Sequence, residues 1–178
     1  MNKKLKLDDL NRLDKIQYKG IEKHPIVVVL DSIRSLHNVG SVFRTSDAFR
    51  IEKVVLCGLT AQPPHKEIHK TALGATETVD WVYYENVLDA VKELRSEGFS
   101  IVSAEQAKET VKLQDLNKKS HSKMAFIFGN EVFGVSQEVI TESDFVIEIP
   151  QFGTKHSFNI SVSVGIVLWE AMKPHINN

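Results

Sequence analysis

Arg44 is the side chain in this sequence best suited to bind a phosphate. It follows Asn38 and Gly40 in the segment 38–44, and a guanidinium can hold a phosphate through two parallel hydrogen bonds. The pattern predicts a helix over 39–49 that begins after an Asn38 cap and places Gly40 and Ser41 on the face of Arg44. Such small neighbours would let another molecule approach closely. An arginine that is merely solvated would fit the same pattern.

A second segment, 126–134, brings a glycine, an amide and a carboxylate together. Its apolar start leads directly into Gly129, and Asn130 and Glu131 follow. Glycine lets a ligand or another backbone segment come close, and it also accepts the positive φ of a tight turn. The segment is therefore typical of a ligand-binding loop, or of an ordinary turn between a strand and a helix.

A third segment, 149–161, has the same mixed character. Pro150 ends a strand, and Ser157 or Asn159 is expected to cap the last helix. His156 lies in the loop between them, where it could be a plain loop residue or a proton acceptor.

These segments must be positioned by the elements around them, and strands alternate with helices along the chain. Such alternation predicts an α/β fold, with a mostly parallel sheet and helices on both faces. Ligands of open sheets bind at the carboxyl ends of the strands, where the polar segments begin. The phosphate-binding patterns G-x-G-x-x-G and G-x-x-x-x-G-K-[ST] are absent. The predicted strands are 26–30, 53–57, 79–84, 100–104, 124–128 and 145–149, and the predicted helices are 39–49, 87–96, 136–141 and 159–172.

The last predicted helix, 159–172, is apolar on two sides. One stripe suits the sheet, and a second copy of the chain is the simplest cover for the other. A central helix wrapped by the rest of one chain would explain the same pattern, but the dimer is the preferred interpretation. The first stripe comprises Ile160, Val164, Val167, Leu168 and Ala171, and the second comprises Val162, Ile166 and Trp169.

The start of the chain differs in character from the rest. Apolar residues recur there near helical spacing in a charged background, which predicts an amphipathic helix. We therefore expect a helical extension over 1–22, followed by a single domain over 23–178. The apolar residues of the extension are Leu5, Leu7, Leu10, Leu13 and Ile16.

Composition narrows the class of protein. The 178 residues carry a net charge of −1, which argues against a non-specific nucleic-acid coat. The Lys-rich run at 118–123 could be a solvated loop or a phosphate-contacting patch. No apolar run is long enough to span a bilayer, no secretory signal is recognised, and Cys57 is expected to be a buried, inert thiol. We expect a cytoplasmic protein without a metal site.

Together, the three segments resemble the SpoU (TrmH-like) branch of the SPOUT superfamily of RNA methyltransferases. The match covers about residues 25–172. The first motif, N-x-G-x-x-x-R, is met by Asn38, Gly40 and Arg44. The second motif, close to G-N-E-x-x-G, is met by Gly129, Asn130, Glu131 and Gly134. The third motif, I-P…S-L-N-V-S, is met within residues 149–161, where Phe158 and Ile160 replace the usual leucine and valine.

The resemblance implies a C-terminal deep trefoil knot, which is rare among folds, and S-adenosylmethionine as the cofactor. It implies that the cofactor rests on backbone around Gly129, Ile149 and Phe158, with Ala104 and Ser157 close by. It also implies a homodimer, in which an arginine of one subunit completes the cofactor pocket of the other. That arginine would be the one in the first motif.

The candidate catalytic residues within the three motifs are Asn38, Arg44, Glu131, Ser157 and Asn159, and only Arg44 takes its role from the resemblance. It gives Arg44 the role of base, yet arginine is effectively always protonated in proteins. We therefore expect Arg44 to bind the phosphate beside the target ribose and to lower the pKa of its 2′-hydroxyl. The proton acceptor would be Glu131, water or His156, while Ser157 and Asn159 orient the ribose or the loop.

The implied substrate is RNA, methylated at a ribose 2′-hydroxyl. The segment 101–106, followed by a Lys-rich loop, is similar to members that act on the D-loop guanosine of transfer RNA, which favours transfer RNA. Ribosomal RNA is the alternative substrate, and a cofactor- or RNA-binding module without turnover is the alternative function. A flavodoxin-like nucleotide-binding protein would carry an acidic or glycine-rich phosphate loop where this chain has Arg34, His37 and Asn38.

Overall fold

The computed structural model describes residues 2–118 and 122–176, without the side chains of Leu7 and Asp8. Residues 119–121 of the Lys-rich run therefore lie outside the described residues. The strands are β1 (His24–Asp31), β2 (Ile51–Cys57), β3 (Asp80–Tyr84), β4 (Ser100–Ala104), β5 (Val111–Lys112), β6 (Met124–Phe128) and β7 (Phe145–Glu148). They form one sheet in the order β3-β2-β1-β6-β4-β7-β5, and all neighbouring strands pair in parallel. The predicted α/β fold with a mostly parallel sheet is confirmed.

Helices cover both faces of this sheet. Helices α2, α3 and α6 pack against one face, and α4 and α5 pack against the other. The bounds of the helices are α1 (Lys15–Gly20), α2 (Leu36–Ala48), α3 (Lys66–Ala72), α4 (Val87–Ser96), α5 (Gln137–Glu142) and α6 (Ile160–Ile176).

Strand β1 is central, and both of its faces are buried. Val28 and Leu30 belong to the core beneath α2 and α6, while Val27 and Val29 belong to the core beneath α4 and α5. A strand buried on both sides needs an unbroken apolar run rather than an alternating one. This explains the β-branched run that predicted the strand.

The predicted strands and the four predicted helices between residues 39 and 172 are present, but α3, β5 and the short 3-10 helices Ala75–Glu77 and Leu113–Lys118 were not predicted. Each of the six predicted strands is present, and its ends lie within two residues of the prediction. Helix α3 was not predicted because only Ile68 and Ala72 of its seven residues are buried, which is too few for an apolar stripe. Strand β5 has two residues and offers no periodicity at all.

The N-terminal segment corrects the prediction of one amphipathic helix. A four-residue 3-10 turn, Leu7–Leu10, and the short α1 replace it. Asn11 adopts a left-handed conformation after the turn, and Asp14 caps α1 by accepting hydrogen bonds from the backbone of Ile16 and Gln17. Leu5, Leu10, Leu13 and Ile16 are exposed, whereas Tyr18 enters the core.

Helix α6 confirms the first of the two predicted apolar stripes. All five of its members are buried against the sheet. In the second stripe Val162 and Trp169 are exposed and Ile166 is half-buried, so the described residues cover this face only in part.

Cys57 is buried, as predicted, at the end of β2. Burial raises the pKa of its thiol to about 12, and the nearby Asp31 carboxylate adds to the effect. Such a thiol is almost entirely protonated near neutral pH and is therefore inert. None of the helices in the described part of the chain is long and apolar enough to cross a bilayer.

Candidate functional site

A cavity of about 780 Å³ lies at the carboxyl ends of β4, β6 and β7. The loops that follow these three strands form its walls, as expected for a parallel sheet. Seven of the predicted site residues line the cavity: Ala104, Gly129, Glu131, Ile149, Ser157, Phe158 and Asn159. Asn38 and Arg44 belong to α2, which begins after β1, and they do not line it.

The walls of the cavity carry negative charge. Glu105, Glu131 and Glu148 line it, and the described lining includes no lysine or arginine. His156 is the one basic side chain found in that lining. A site of this composition favours a cationic ligand over a phosphate or pyrophosphate.

Gly129 is required by a tight backbone turn. A Cβ atom at Gly129 would lie 2.1 Å from the carbonyl carbon of Gly134 and 2.3 Å from the nitrogen of Val135. Gly134 has a φ of +69°, which favours glycine there too. The two glycines of the second motif thus allow the chain to fold back on itself beside the cavity.

Asn130, for which no role was predicted, organises the same turn. Its side-chain amide donates to the carbonyl of Ser32 at 2.7 Å, which ties the turn to the loop after β1. Its side-chain oxygen accepts from the backbone of Val132 and Phe133, at 2.9 and 3.2 Å. The position of Asn130 between Gly129 and Glu131 in the second motif is the feature of the sequence that could have indicated this role.

Glu131 binds the amino end of α2. Its carboxylate accepts from the backbone N–H groups of Arg34 and Ser35 at 3.0 and 3.1 Å, and from the side-chain amide of Asn38 at 3.5 Å. Burial raises the pKa of Glu131, but the hydrogen bonds that it accepts outweigh burial and leave the pKa below its usual value. Glu131 therefore remains a carboxylate and holds the loop after β1.

Asn38 is not the helix cap that we predicted. Helix α2 begins at Leu36, and Ser35 caps it by accepting from the backbone N–H of Asn38. Serine and asparagine are equally good caps, and here the Asn38 side chain is held by Glu131 and Asn159, so Asn38 lies inside the first turn.

Asn159 resolves the choice left open for the last helix. Its side-chain oxygen accepts from the backbone N–H of Ser161 at 2.9 Å, so Asn159 rather than Ser157 caps α6. Its amide donates to the side-chain oxygen of Asn38 at 3.2 Å. Glu131, Asn38 and Asn159 therefore connect all three motifs at one edge of the sheet.

Arg44 is exposed on α2. Within residues 2–118 and 122–176 it has no hydrogen bond or ion pair, so its guanidinium is available to a ligand. The expected role of Gly40 was wrong, because Gly40 is buried against α3 rather than open to another molecule. A Cβ there would lie 2.1 Å from Oγ1 of Thr71 and 2.3 Å from the carbonyl oxygen of Ile68.

The loop after β4 contributes two residues for which no role was predicted. Glu105 accepts from the backbone N–H of Val135 at 2.9 Å and so holds the end of the turn between Gly129 and Gly134. Gln106 donates from its side-chain amide to the carbonyl oxygen of His156 and joins the third motif. Both directly follow Ala104, the last residue of β4, for which a place beside the cofactor was predicted.

Comparisons with known proteins agree with this architecture. A sequence profile described as the SpoU rRNA Methylase family matches residues 25–169. A 23S rRNA (guanosine-2′-O-)-methyltransferase, RlmB, from Neisseria meningitidis is 30% identical over 89% of this chain and 62% of that protein. A tRNA (guanosine(18)-2′-O)-methyltransferase from Borreliella burgdorferi is 28% identical over 90% of this chain and 71% of that protein.

Solved structures give the same result. The AdoMet-bound rRNA methyltransferase from Sinorhizobium meliloti is 27% identical with a TM-score of 0.79, over 88% of this chain and 60% of that one. The TrmH/SpoU tRNA modifying enzyme from A. aeolicus is 27% identical with a TM-score of 0.77, over 87% and 77%. The chain spans about three-fifths of the length of the first curated relatives, 62% and 59%. Because the profile covers most of the sequence, this chain belongs to the SpoU rRNA Methylase family.

Proposed function

We propose that this chain transfers a methyl group from S-adenosylmethionine to a ribose 2′-hydroxyl of RNA. The observation that carries the proposal is the convergence of the loops after β4, β6 and β7 on one cavity, with Asn38 joining the last two loops through Glu131 and Asn159. Family membership and the ribose methylation named for the N. meningitidis and B. burgdorferi relatives support it.

The residues of the cavity fit S-adenosylmethionine. Its volume lies within the range of roughly 300–1,000 Å³ that is common for small-molecule sites. The sulfonium of this cofactor is cationic, which suits a wall of carboxylates without lysine or arginine in its described lining. When bound, the cofactor supplies an electrophilic methyl group. We assign its adenine and ribose to the backbone around Gly129, Ile149 and Phe158, with Ala104 and Ser157 alongside.

Arg44 would bind the phosphate next to the target ribose. Its permanent positive charge makes it a poor base, but the same charge lowers the pKa of a neighbouring hydroxyl. Glu131 is a weak candidate for the proton acceptor, because its oxygens already accept from three groups and its pKa is lowered. Water or His156 is the better candidate. Ser157 and Asn159 would orient the ribose at the cavity wall.

The assembly that we propose is a homodimer whose subunits meet at the exposed stripe of α6. Val162 and Trp169 would be buried there, and Arg44 of each subunit would serve the cavity of the other. We also propose a C-terminal trefoil knot. The two late strands β6 and β7 lie inside the sheet between earlier strands, which is compatible with threading of the chain. Residues 1–22 are proposed as an extension of the domain formed by 23–178.

Transfer RNA, methylated at a D-loop guanosine in the cytoplasm, is the substrate that we propose. The B. burgdorferi relative, a tRNA (guanosine(18)-2′-O)-methyltransferase, supports this assignment. Ribosomal RNA is a second candidate, because the N. meningitidis relative with 30% identity acts on 23S rRNA.

Two measurements test the function. Calorimetry with S-adenosylmethionine should detect binding, and labelled methyl groups should pass to unmodified transfer RNA or to 23S rRNA. Arg44→Ala should bind the cofactor like the wild type and lose transfer, and Arg44→Lys should lose most of it, because an ammonium cannot form the two-pronged contact. Absence of cofactor binding would contradict the proposal. Binding without transfer to either RNA would favour a non-catalytic module.

A further inference from the structure

Phe133 is an exposed aromatic residue in the wall of the cavity. Its side chain is 87% exposed although it belongs to the lining, which places it at the open rim. We infer that Phe133 stacks against the nucleobase of the nucleotide whose ribose is methylated. This inference rests on the proposed function and names the part of the RNA that this side of the site recognises.

The backbone that carries Phe133 is firmly held. Asn130 accepts hydrogen bonds from the backbone of Phe133 itself and from Gly134, at 3.2 and 2.8 Å. Glu105 holds Val135 from the other side at 2.9 Å. Only the phenylalanine ring is then left to be ordered when a ligand binds, so little free energy is lost in fixing the loop.

A nucleobase is the ligand that suits this ring. A ribose presented to the cavity carries its base to the rim, because base and sugar are directly bonded. Unstacked RNA bases are commonly recognised by stacking on aromatic side chains. The described lining contains no lysine or arginine, so the phosphate must be bound elsewhere, as proposed for Arg44. That arrangement leaves the uncharged base for Phe133.

Two other contacts could also cover an exposed ring. The adenine of the cofactor is one, but Phe133 is 87% exposed, whereas Phe158, which is assigned to the cofactor, is 40% exposed and Ile149 is half-buried. A second subunit is the other, although the exposed stripe of α6 already offers a surface for it. Both alternatives make predictions that differ from those of base stacking.

The test compares Phe133→Ala with Phe133→Tyr, using the RNA that accepts methyl groups from the wild type. Phe133→Ala should raise the KM for RNA roughly tenfold, because loss of one base–aromatic contact has about that effect. Phe133→Tyr should restore it, since the aromatic face is kept. Calorimetry should give the wild-type affinity for S-adenosylmethionine, and sedimentation the wild-type mass. The control is Phe152→Ala, which removes a ring that is 97% exposed but outside the cavity lining and should leave KM unchanged.

Several outcomes would overturn the inference. An unchanged KM in Phe133→Ala would do so, as would an equal rise in Phe152→Ala. A parallel loss of cofactor affinity would assign the ring to the adenine, and a change in mass would assign it to a subunit contact. A wild-type chain that transfers no methyl group would overturn the proposed function itself, and the inference with it.

Discussion

Asn38 and Asn159, which are 121 positions apart, meet through one side-chain hydrogen bond. The amide of Asn159 donates to the oxygen of Asn38 at 3.2 Å. The other end of each side chain is also engaged: Asn159 caps α6, and Asn38 donates to Glu131 at 3.5 Å. Both amide groups are thereby oriented, and the amino ends of α2 and α6 are fixed relative to each other.

A double-mutant cycle measures this relationship. Asn159→Ala should lower the free energy of unfolding by about 1 kcal/mol, because α6 loses its cap. Asn38→Ala should cost less, and the two changes should fall short of additivity by roughly 0.5 kcal/mol or more. Urea denaturation of the four proteins gives these values. Asn159→Asp is the matched control, since it keeps the cap acceptor but loses the donor to Asn38. Strict additivity would mean that the hydrogen bond contributes nothing.

Glu131 should make stability depend on acid pH. Its pKa is lower in the folded chain than in the unfolded chain, so its contribution is present above the unfolded value, about 4.3, and is lost as the pH falls through the folded value. Glu131→Gln should therefore melt at a lower temperature than the wild type at pH 7. The difference should shrink as the pH falls below about 4.

Thermal melts between neutral and acid pH provide the measurement for Glu131. The control is Glu109→Gln, at an exposed position in the loop between β4 and β5. That variant should follow the wild-type curve throughout. A gap between wild type and Glu131→Gln that stays constant with pH would show that the charge of Glu131 does not stabilise α2.

Gly40→Ala should destabilise the contact between α2 and α3. The added methyl group would overlap Oγ1 of Thr71 and the carbonyl oxygen of Ile68, and overpacking of this kind typically costs about 1–3 kcal/mol. Gly20→Ala provides the control, because a Cβ at Gly20 meets no atom within 4 Å. Chemical denaturation should separate the two variants. Equal stability of both would contradict the packing role of Gly40.

The strands of the sheet were predictable because burial on both faces leaves a local signature. The β-branched run at the centre of β1 and the apolar run of β6 identify strands without any knowledge of their neighbours.

The cavity could be located for a related reason. Polar residues such as Glu131 and Asn159 follow strand ends, and the ends of parallel strands meet at one edge of the sheet.

The contacts within the site were less predictable because they join distant segments. A cap signal at Asn38 looked as good as one at Ser35, and only the position of Glu131 explains why the asparagine points elsewhere. Gly40 was interpreted as an open surface because α3 was not recognised, and α3 has too few buried residues to be recognised. Glu105 has no periodic or motif signal, since its role depends on Val135 of another loop.

The exposed stripe of α6 leads to a prediction about assembly. Trp169 is 55% exposed, and its ring lies 6.5 Å from the ring of Phe49, which follows α2. If a second subunit covers this stripe, Trp169→Lys should prevent dimerisation, because an unpaired ammonium is costly to bury. Light scattering coupled to gel filtration should then give the mass of a monomer.

The control for assembly is Leu59→Lys, which changes an apolar side chain that is 79% exposed and remote from α6 in the sequence. Leu59→Lys should leave the mass of the assembly unchanged.

Trp169→Lys should keep the wild-type circular dichroism and lose methyl transfer. The loss of methyl transfer follows from the proposed position of Arg44, since a monomer would present a cavity without the arginine of its partner. A Trp169→Lys protein that has the wild-type mass would place the subunit contact elsewhere. A monomer with full activity would show instead that Arg44 serves the cavity of its own chain.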